Sequence, residues 1–299
     1  LTSLPTAHID RDRLAAARAW AEARYHACDV CAERCGVDRH AGDLGLCGLP
    51  AGARVYKEYL HLGEEARLVP SHTIYLSGCN FRCAFCSDDA QVRRPLAHGV
   101  EVPPAALARR IAQRRAEGAR NVNFVGGLPD VNVLYILKVL ERCPADTAVV
   151  WNTNLWTTPE AIERLTGVVW TWLVDLKFGN DRCALKLAGI RDYVATLTDL
   201  LPRAAAAGEV LVRHLLMPGH LDCCTRPALD WLATHLPEVP VNVMTGYHPY
   251  RMERGRGPMS RGLPPEERAR ALASLGPERF ADLLIDGTEY RLLGSRSAS

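Results

Sequence analysis

The chain has little net charge and no long apolar stretch. Its 299 residues carry a formal net charge of +2 and a pI near 8.1. The whole-chain electrostatic footprint of a nucleic-acid binder is therefore missing, and nucleic acid is not an expected partner. The longest apolar runs, such as Val168 to Val174, fall far short of the roughly 20 residues that a membrane helix needs, so no membrane insertion is expected. No secretory n-region and h-region opens the sequence. The 11 cysteines are odd in number and grouped at metal-ligand spacings. That pattern argues against a disulfide framework and for a reducing cytoplasm. With 48% hydrophobic residues the chain can bury a large core, enough for one barrel-type domain and a small appendage.

The most informative stretch is Gly78 to Cys86. It places Cys79, Cys83 and Cys86 at C-x3-C-x2-C, directly behind Thr73 to Ser77, an alternating β-branched and aromatic run that reads as a strand. Three thiolates on one loop, with no fourth cysteine nearby, suit an iron–sulfur cubane in which one iron lacks a protein ligand. A substrate or cofactor can chelate that open iron. A structural zinc site with a remote fourth ligand is the competing reading.

Cys79, Cys83, Phe85 and Cys86 match C-x3-C-x-aromatic-C, and here the chain resembles the radical S-adenosylmethionine (SAM) superfamily. The resemblance implies a [4Fe–4S] cluster on these cysteines, with SAM chelating the open iron. It also implies one-electron cleavage of SAM to methionine and a 5′-deoxyadenosyl radical, which abstracts a hydrogen atom from the substrate.

Upstream, Asp10 to Ala23 is rich in alanine and arginine with acidic residues at its start. It reads as a helix packed through Leu14, Ala17 and Trp20. A second cysteine group follows, with Cys28, Cys31, Cys35 and Cys47 at C-x2-C-x3-C-x11-C. A tetrahedral zinc, a rubredoxin-like iron or an auxiliary iron–sulfur cluster would each use four such thiolates, and spacing alone does not choose among them or exclude metal-free thiols. Glu64 and Glu65 read as solvated turn residues.

Beyond the cluster loop, helical and strand segments alternate. Helices are expected over 103–117, 131–142, 159–165, 192–207 and 227–235. Strands are expected over 121–125, 148–151, 168–174, 209–215 and 241–244. Counted from the Thr73 strand this makes six β/α units with right-handed crossovers and a parallel sheet. The expected fold is α/β: a partial (β/α)6 TIM-type barrel with a small N-terminal Cys-rich module, the form the resemblance also implies. The layout divides into 1–68 (helix and four-cysteine metal module), 69–250 (barrel) and 251–299 (loop, helix and tail). The Gly-, Arg- and Pro-rich 251–265 segment reads as a mobile linker or lid, and Gly294 to Ser299 as a disordered end.

In such barrels the working groups follow the C-terminal ends of strands. Gly126 and Gly127, followed by Leu128 and Pro129, resemble a Gly-Gly-Glu-Pro loop that contacts the SAM amino group, with leucine in place of the glutamate. Asn152 and Asn154 are placed for a ribose or carboxylate, or to cap the next helix. Asp175 and Lys177 resemble the Asp-x-Lys element at the SAM site of glycyl-radical activating enzymes, and could otherwise be a plain ion pair. The later loops are expected to face the substrate through His214, His220, Tyr247, His248 and Tyr250. Of these His214 and Tyr247 are expected to be catalytic, with Cys223 or Cys224 as a hydrogen donor. Cys143 and Cys183 read as packing residues. Arginines 109, 110, 114, 115 and 120 form a basic face of the solvated kind.

The wider resemblance, roughly Cys28 to Pro249, is to pyruvate formate-lyase activating enzyme-like proteins. It implies an electron donor such as flavodoxin or ferredoxin. The substrate is expected to be a small molecule or a flexible peptide. The alternatives are an activase acting on a glycyl-radical protein partner and a non-enzymatic electron-transfer or metal-binding protein.

Overall fold

Strands such as 71–76 and 149–153 are buried along nearly their whole length, the condition of parallel strands covered by helices on one side and packed into a barrel on the other. A computed structural model, describing residues 7–63 and 65–289, shows how they assemble. Strand β1 (Val55–His61) runs antiparallel to β2 (Ser71–Leu76). From β2 the sheet continues parallel through β3 (Asn121–Gly126), β4 (Val149–Thr153), β5 (Thr171–Asp175), β6 (Glu209–Leu215), β7 (Val241–Met244) and β8 (Leu283–Ile285). The short β9 (Thr288–Glu289) then turns back antiparallel. Spatial order equals chain order throughout.

The helices are α1 (Arg11–Arg24), α2 (Asp89–Arg93), α3 (Pro104–Ala116), α4 (Val133–Leu140), α5 (Pro159–Leu165), α6 (Asp181–Ala188), α7 (Tyr193–Ala207), α8 (Arg226–His235) and α9 (Pro265–Ala273). Asp10 caps α1 by accepting from the backbone N–H groups of Asp12 and Arg13, both at 3.0 Å. Leu14, Ala17, Trp20 and Ala21 are its buried face, packed on α4 and α5. Thr158 caps α5 ahead of Pro159, whose missing N–H costs nothing at a first helical position. One hydrophobic core runs from Ile9 to Leu283.

The six expected β/α units are β2 to β7 with their helices. Two features go beyond that expectation. Leu283 to Ile285, within the 251–299 stretch expected as loop, helix and tail, pairs with β7 as a further parallel strand. Helix α6 occupies a stretch that reads as a connection; its start is the Asn180 side chain, which accepts from Cys183 N–H at 2.8 Å, and its stop is Gly189 at φ +74°.

Strand parity decides what faces inward. On β5 and β6 the residues Leu173, Asp175, Leu211, Arg213 and Leu215 point into the barrel, while Trp172, Val174, Val212 and His214 belong to the outer layer under the helices. Glu65 is not a solvated turn residue: it is 3% exposed and takes a bidentate pair from Arg213, Nε to Oε1 and Nη2 to Oε2 at 2.6 Å each. Asn242 Nδ2 adds a bond of 2.8 Å. Burial pushes the Glu65 carboxyl up, but Arg213 outweighs it and holds the group below the usual carboxylate range. Glu64 and Gly294 to Ser299 lie outside the described residues.

The 251–265 stretch carries two 3-10 turns, 250–252 and 258–260. Met259 inserts there at 5% exposure, and its carbonyl accepts from the Tyr247 hydroxyl at 2.8 Å. Most of the arginine face is spent within the molecule, with Arg110 and Arg114 on Glu58 and Arg115 on Asp146.

Candidate active site

The loop that leaves β2 is shaped by three glycines. Gly78 sits at φ +83° and Gly126 at φ +98°, backbone states that side chains rarely adopt. At Gly127 the reason is space: a Cβ there would lie 1.8 Å from the Gly78 carbonyl oxygen. The loop after β3 thus presses directly on the cysteine loop, and Gly127 N–H donates to Leu76 O at 2.5 Å. That N–H is therefore committed to the fold. What Gly126 and Gly127 offer the cavity beside them is backbone surface.

Cys79, Cys83 and Cys86 all face this cavity, whose volume is about 450 Å³. Burial pushes all three thiols up, Cys83 to about 12. Opposite them lie Asp175 and Lys177 from the end of β5, with Nζ 2.5 Å from Oδ2. Burial pulls the Lys177 ammonium down, but Asp175 and Cys83 more than reverse this, so the group stays cationic next to the thiols. The Tyr193 hydroxyl accepts from Lys177 N–H at 2.8 Å and fixes the backbone there. Asn152 and Asn154 line the same cavity. They are not caps of α5, since Thr158 does that work; Asn154 Oδ1 accepts from Trp156 N–H at 3.2 Å. His248 and Tyr250 stand on the wall formed by the loop after β7.

The other expected substrate-facing residues lie elsewhere. His214 is fully buried in the outer layer, with Nδ1 2.7 Å from Leu176 O and Nε2 3.0 Å from Thr225 Oγ1. Burial pulls its imidazole down to about 4. Strand alternation is the cause: β6 extends to Leu215, so Arg213 and Leu215 take the cavity side and His214 the other. Tyr247 is 6% exposed, spends its hydroxyl on Met259 O, and touches the site only through its ring, 6.2 Å from that of Phe85. His220, Cys223 and Cys224 do not line the cavity. They meet one another and Cys183, a buried core residue whose sulfur joins theirs. Cys143 is buried with Sγ 3.5 Å from Val139 O, as packing requires.

The cavity also gathers Tyr75, Asp88 and Arg213, which sequence reading did not select. Arg213 and Tyr75 were recoverable from strand parity; for Asp88, two residues past Cys86, no local signal existed.

In the N-terminal group Cys28, Cys31 and Cys47 are buried and Cys35 is exposed. Burial pushes Cys31 up to about 12. No three of the four sulfurs lie within 4.8 Å of one another, whereas the corners of a single tetrahedral site stand about 3.8 Å apart. Cys79, Cys83 and Cys86 are likewise more widely set than that.

Among known proteins, the profile of the Radical SAM superfamily matches residues 73–232. The uncharacterized protein MJ0674 of Methanocaldococcus jannaschii is 39% identical over 267 residues, covering 87% of this chain and 77% of that protein. Among solved structures, Streptococcus suis SuiB bound to S-adenosylmethionine aligns at a TM-score of 0.47 and 16% identity. The alignment covers 69% of this chain, which spans about half (47%) of SuiB. HydG, a maturase of the [FeFe]-hydrogenase, aligns at a TM-score of 0.44 and 13% identity, over 94% of this chain and 69% of HydG. With the family profile laid over the cysteine loop and most of the strands that build the cavity, the chain belongs to the radical SAM superfamily of enzymes.

Proposed function

We propose that this enzyme binds SAM in the cavity between the cysteine loop and Asp175 and Lys177, and acts on a small molecule or a flexible peptide presented at the mouth. The observation that carries the reading is convergence. Cys79, Cys83, Cys86, Gly126, Asn152, Asp175 and Lys177 come from four strand ends and face one space of about 450 Å³.

The residues fit the group that the family implies. Three thiols from one loop are set wider than a single ion would draw them, and among the described residues no fourth cysteine lines the cavity, as a [4Fe–4S] cluster with one free iron requires. Cys79, Cys83 and Cys86 would hold it. When bound, the cluster supplies the electron that cleaves SAM to methionine and a 5′-deoxyadenosyl radical. Gly126 and Gly127 leave room for the SAM amino group and offer it backbone carbonyls. Leu128, only 5% exposed, adds apolar wall where a carboxylate would otherwise stand. Asn152 and Asn154 present amides to the ribose or carboxylate. Asp175 fixes Lys177, whose positive charge favours the thiolate form of the nearby cysteines and attracts the SAM carboxylate.

His248 and Tyr250, on the mouth side, orient the substrate, and Leu215 and Met244 exclude water from it. A site of this volume suits small ligands or one extended peptide segment. The Asp175 and Lys177 element and the glycine loop support kinship with pyruvate formate-lyase activating enzyme-like proteins. For the electron, a one-electron carrier such as flavodoxin or ferredoxin is the partner. Cys28, Cys31, Cys35 and Cys47 would hold a separate metal, zinc or iron, that staples the N-terminal module. Residues 1–68 form the four-cysteine module and lend β1 to the sheet, 69–250 form the catalytic barrel, and 251–299 form the closing segment, which lends β8.

Anaerobic reduction of reconstituted protein with SAM tests the core of this reading. It should release 5′-deoxyadenosine, and Cys83→Ala should stop release and lower bound iron. Unchanged iron in that variant would overturn the assignment. A glycyl radical raised on a co-purifying protein would replace the small substrate by a protein partner.

A further inference from the structure

Outside the cavity, one cluster of side chains is unexplained by radical chemistry. Cys183 on α6 meets His220, Cys223 and Cys224 from the connection between β6 and α8, with all four ligand atoms within 4.8 Å of one another. Among the described residues it is the one group of His, Cys, Asp or Glu gathered so tightly. His220 Nδ1 lies 3.6 Å from Cys183 Sγ, 3.3 Å from Cys223 Sγ and 3.7 Å from Cys224 Sγ. Cys223 Sγ lies 3.8 Å from Cys183 Sγ and 3.9 Å from Cys224 Sγ.

These separations have a specific meaning. A zinc ion about 2.3 Å from sulfur and 2.0–2.1 Å from imidazole nitrogen sets tetrahedral ligand atoms about 3.8 Å apart for S to S and about 3.6 Å for S to N. The two S–S edges of 3.8 and 3.9 Å and the three S–N edges of 3.3 to 3.7 Å lie close to those values. No sulfur pair approaches the roughly 2.05 Å of a disulfide, and the distances are even, as around a common centre rather than within one bonded pair.

We propose that Cys183, His220, Cys223 and Cys224 form a structural zinc site, separate from the Cys79 loop and from the N-terminal cysteine group. The backbone is built for it. A π-turn spans Leu221–Thr225, and Cys224 and Thr225 N–H both donate to His220 O, at 2.9 and 3.2 Å. That wider turn brings two successive cysteines and the histidine to one side; insertions of this kind mark functional positions in helices. Asn180 then joins the two halves. Its Oδ1 accepts from Cys183 N–H, and its Nδ2 donates to Cys223 O at 2.5 Å and lies 3.7 Å from Cys224 Sγ. Such outer contacts orient ligands before metal arrives. At Gly179 a Cβ would stand 2.4 Å from Cys224 O, so the two segments are in backbone contact.

Four protein ligands close the shell, leaving no position for substrate, which makes the site structural rather than catalytic. Its place gives it a purpose. Helix α6 starts shortly after Asp175 and Lys177, and the His220 loop follows the strand carrying Arg213 and Leu215. A metal here clamps two adjacent cavity-forming connections. It also removes Cys223 and Cys224 as hydrogen donors, since both become ligands.

The test reads metal rather than activity. Zinc per chain is measured by elemental mass spectrometry on the intact protein and on Cys183→Ser, Cys223→Ser and His220→Ala, with Cys31→Ser as the control. Each cluster variant should hold about one zinc per chain fewer than the intact protein, a loss distinct from any that Cys31→Ser causes at the N-terminal group. His220→Cys should retain that zinc, because a fourth thiolate serves equally well. A second measurement needs no variant: native protein is alkylated with and without a zinc chelator, and the labelled cysteines are identified. Cys183, Cys223 and Cys224 should be protected until the metal is withdrawn. Zinc content indifferent to the cluster variants, or labelling of these three cysteines unaffected by the chelator, overturns the proposal.

Discussion

The cysteine loop and the Cys183 cluster are both collections of thiols, yet they are made in opposite ways. Cys79, Cys83 and Cys86 come from one loop, face a cavity and stand wide apart. Cys183, His220, Cys223 and Cys224 come from two separate connections, face away from the cavity and stand within one ion's reach. A loop can present ligands to a large group and leave one side open. A closed tetrahedron needs its corners brought from different directions, which favours two segments. On our proposals the difference separates a reactive centre from a clamp, and it can be attacked from both sides.

The largest effect is expected at the loop. Cys83→Ala should reduce 5′-deoxyadenosine formation below detection and lower iron content, while zinc at the other cluster is retained. If both metals disappear together, the two groups are not independent.

Next in size is the cation beside the thiols. Lys177→Met leaves Asp175 as an unpaired carboxylate among buried thiols and removes a charge-assisted partner for SAM. A loss of about 10- to 100-fold in SAM affinity, read by equilibrium binding, is expected from such a group. An unchanged affinity would place Lys177 in a purely structural role.

Breaking the clamp should act on stability rather than chemistry. The double variant Cys223→Ser with Cys224→Ser should lose zinc, keep its iron and unfold on the order of 5 °C or more below the parent in a thermal scan. A parent-like midpoint would mean that the cluster bears no load.

The smallest effect belongs to His214, whose imidazole burial pulls down to about 4. A histidine that resists protonation when folded binds fewer protons than the unfolded chain below its ordinary range. Stability should therefore fall as pH drops through about 6.5 and level off near 4, by up to about 3 kcal/mol. His214→Gln, which retains hydrogen-bonding capacity toward Leu176 and Thr225, should flatten that slope in urea titrations across this range. A slope equal to the parent's assigns it to another group, such as His72, which burial also lowers.

The cysteine loop, the glycine pair and the Asp175–Lys177 element were legible because their meaning lies in short spacings within one strand end or loop. The six β/α units were legible because strand and helix periodicities are local, and Pro159 and the apolar β4 and β6 runs marked their own segments. His214 was misplaced although the information was present: along the strand expected over 209–215, alternation sets Arg213 and Leu215 on one face and His214 on the other. Glu65 was misread for a different reason. Nothing near a surface-like Glu64-Glu65 pair announces that Arg213, far along the chain, will bury it.

What the sequence alone determined, then, is the chemistry carried by contiguous residues and the order of strands and helices, since both depend on nearest neighbours along the chain. Only the tertiary structure decided that Cys183 meets His220, Cys223 and Cys224, that Arg213 buries Glu65, and that Tyr247 turns to Met259. Each of these depends on distances between segments that packing alone brings together, and a metal ion or a cluster responds to those distances and not to separation in sequence.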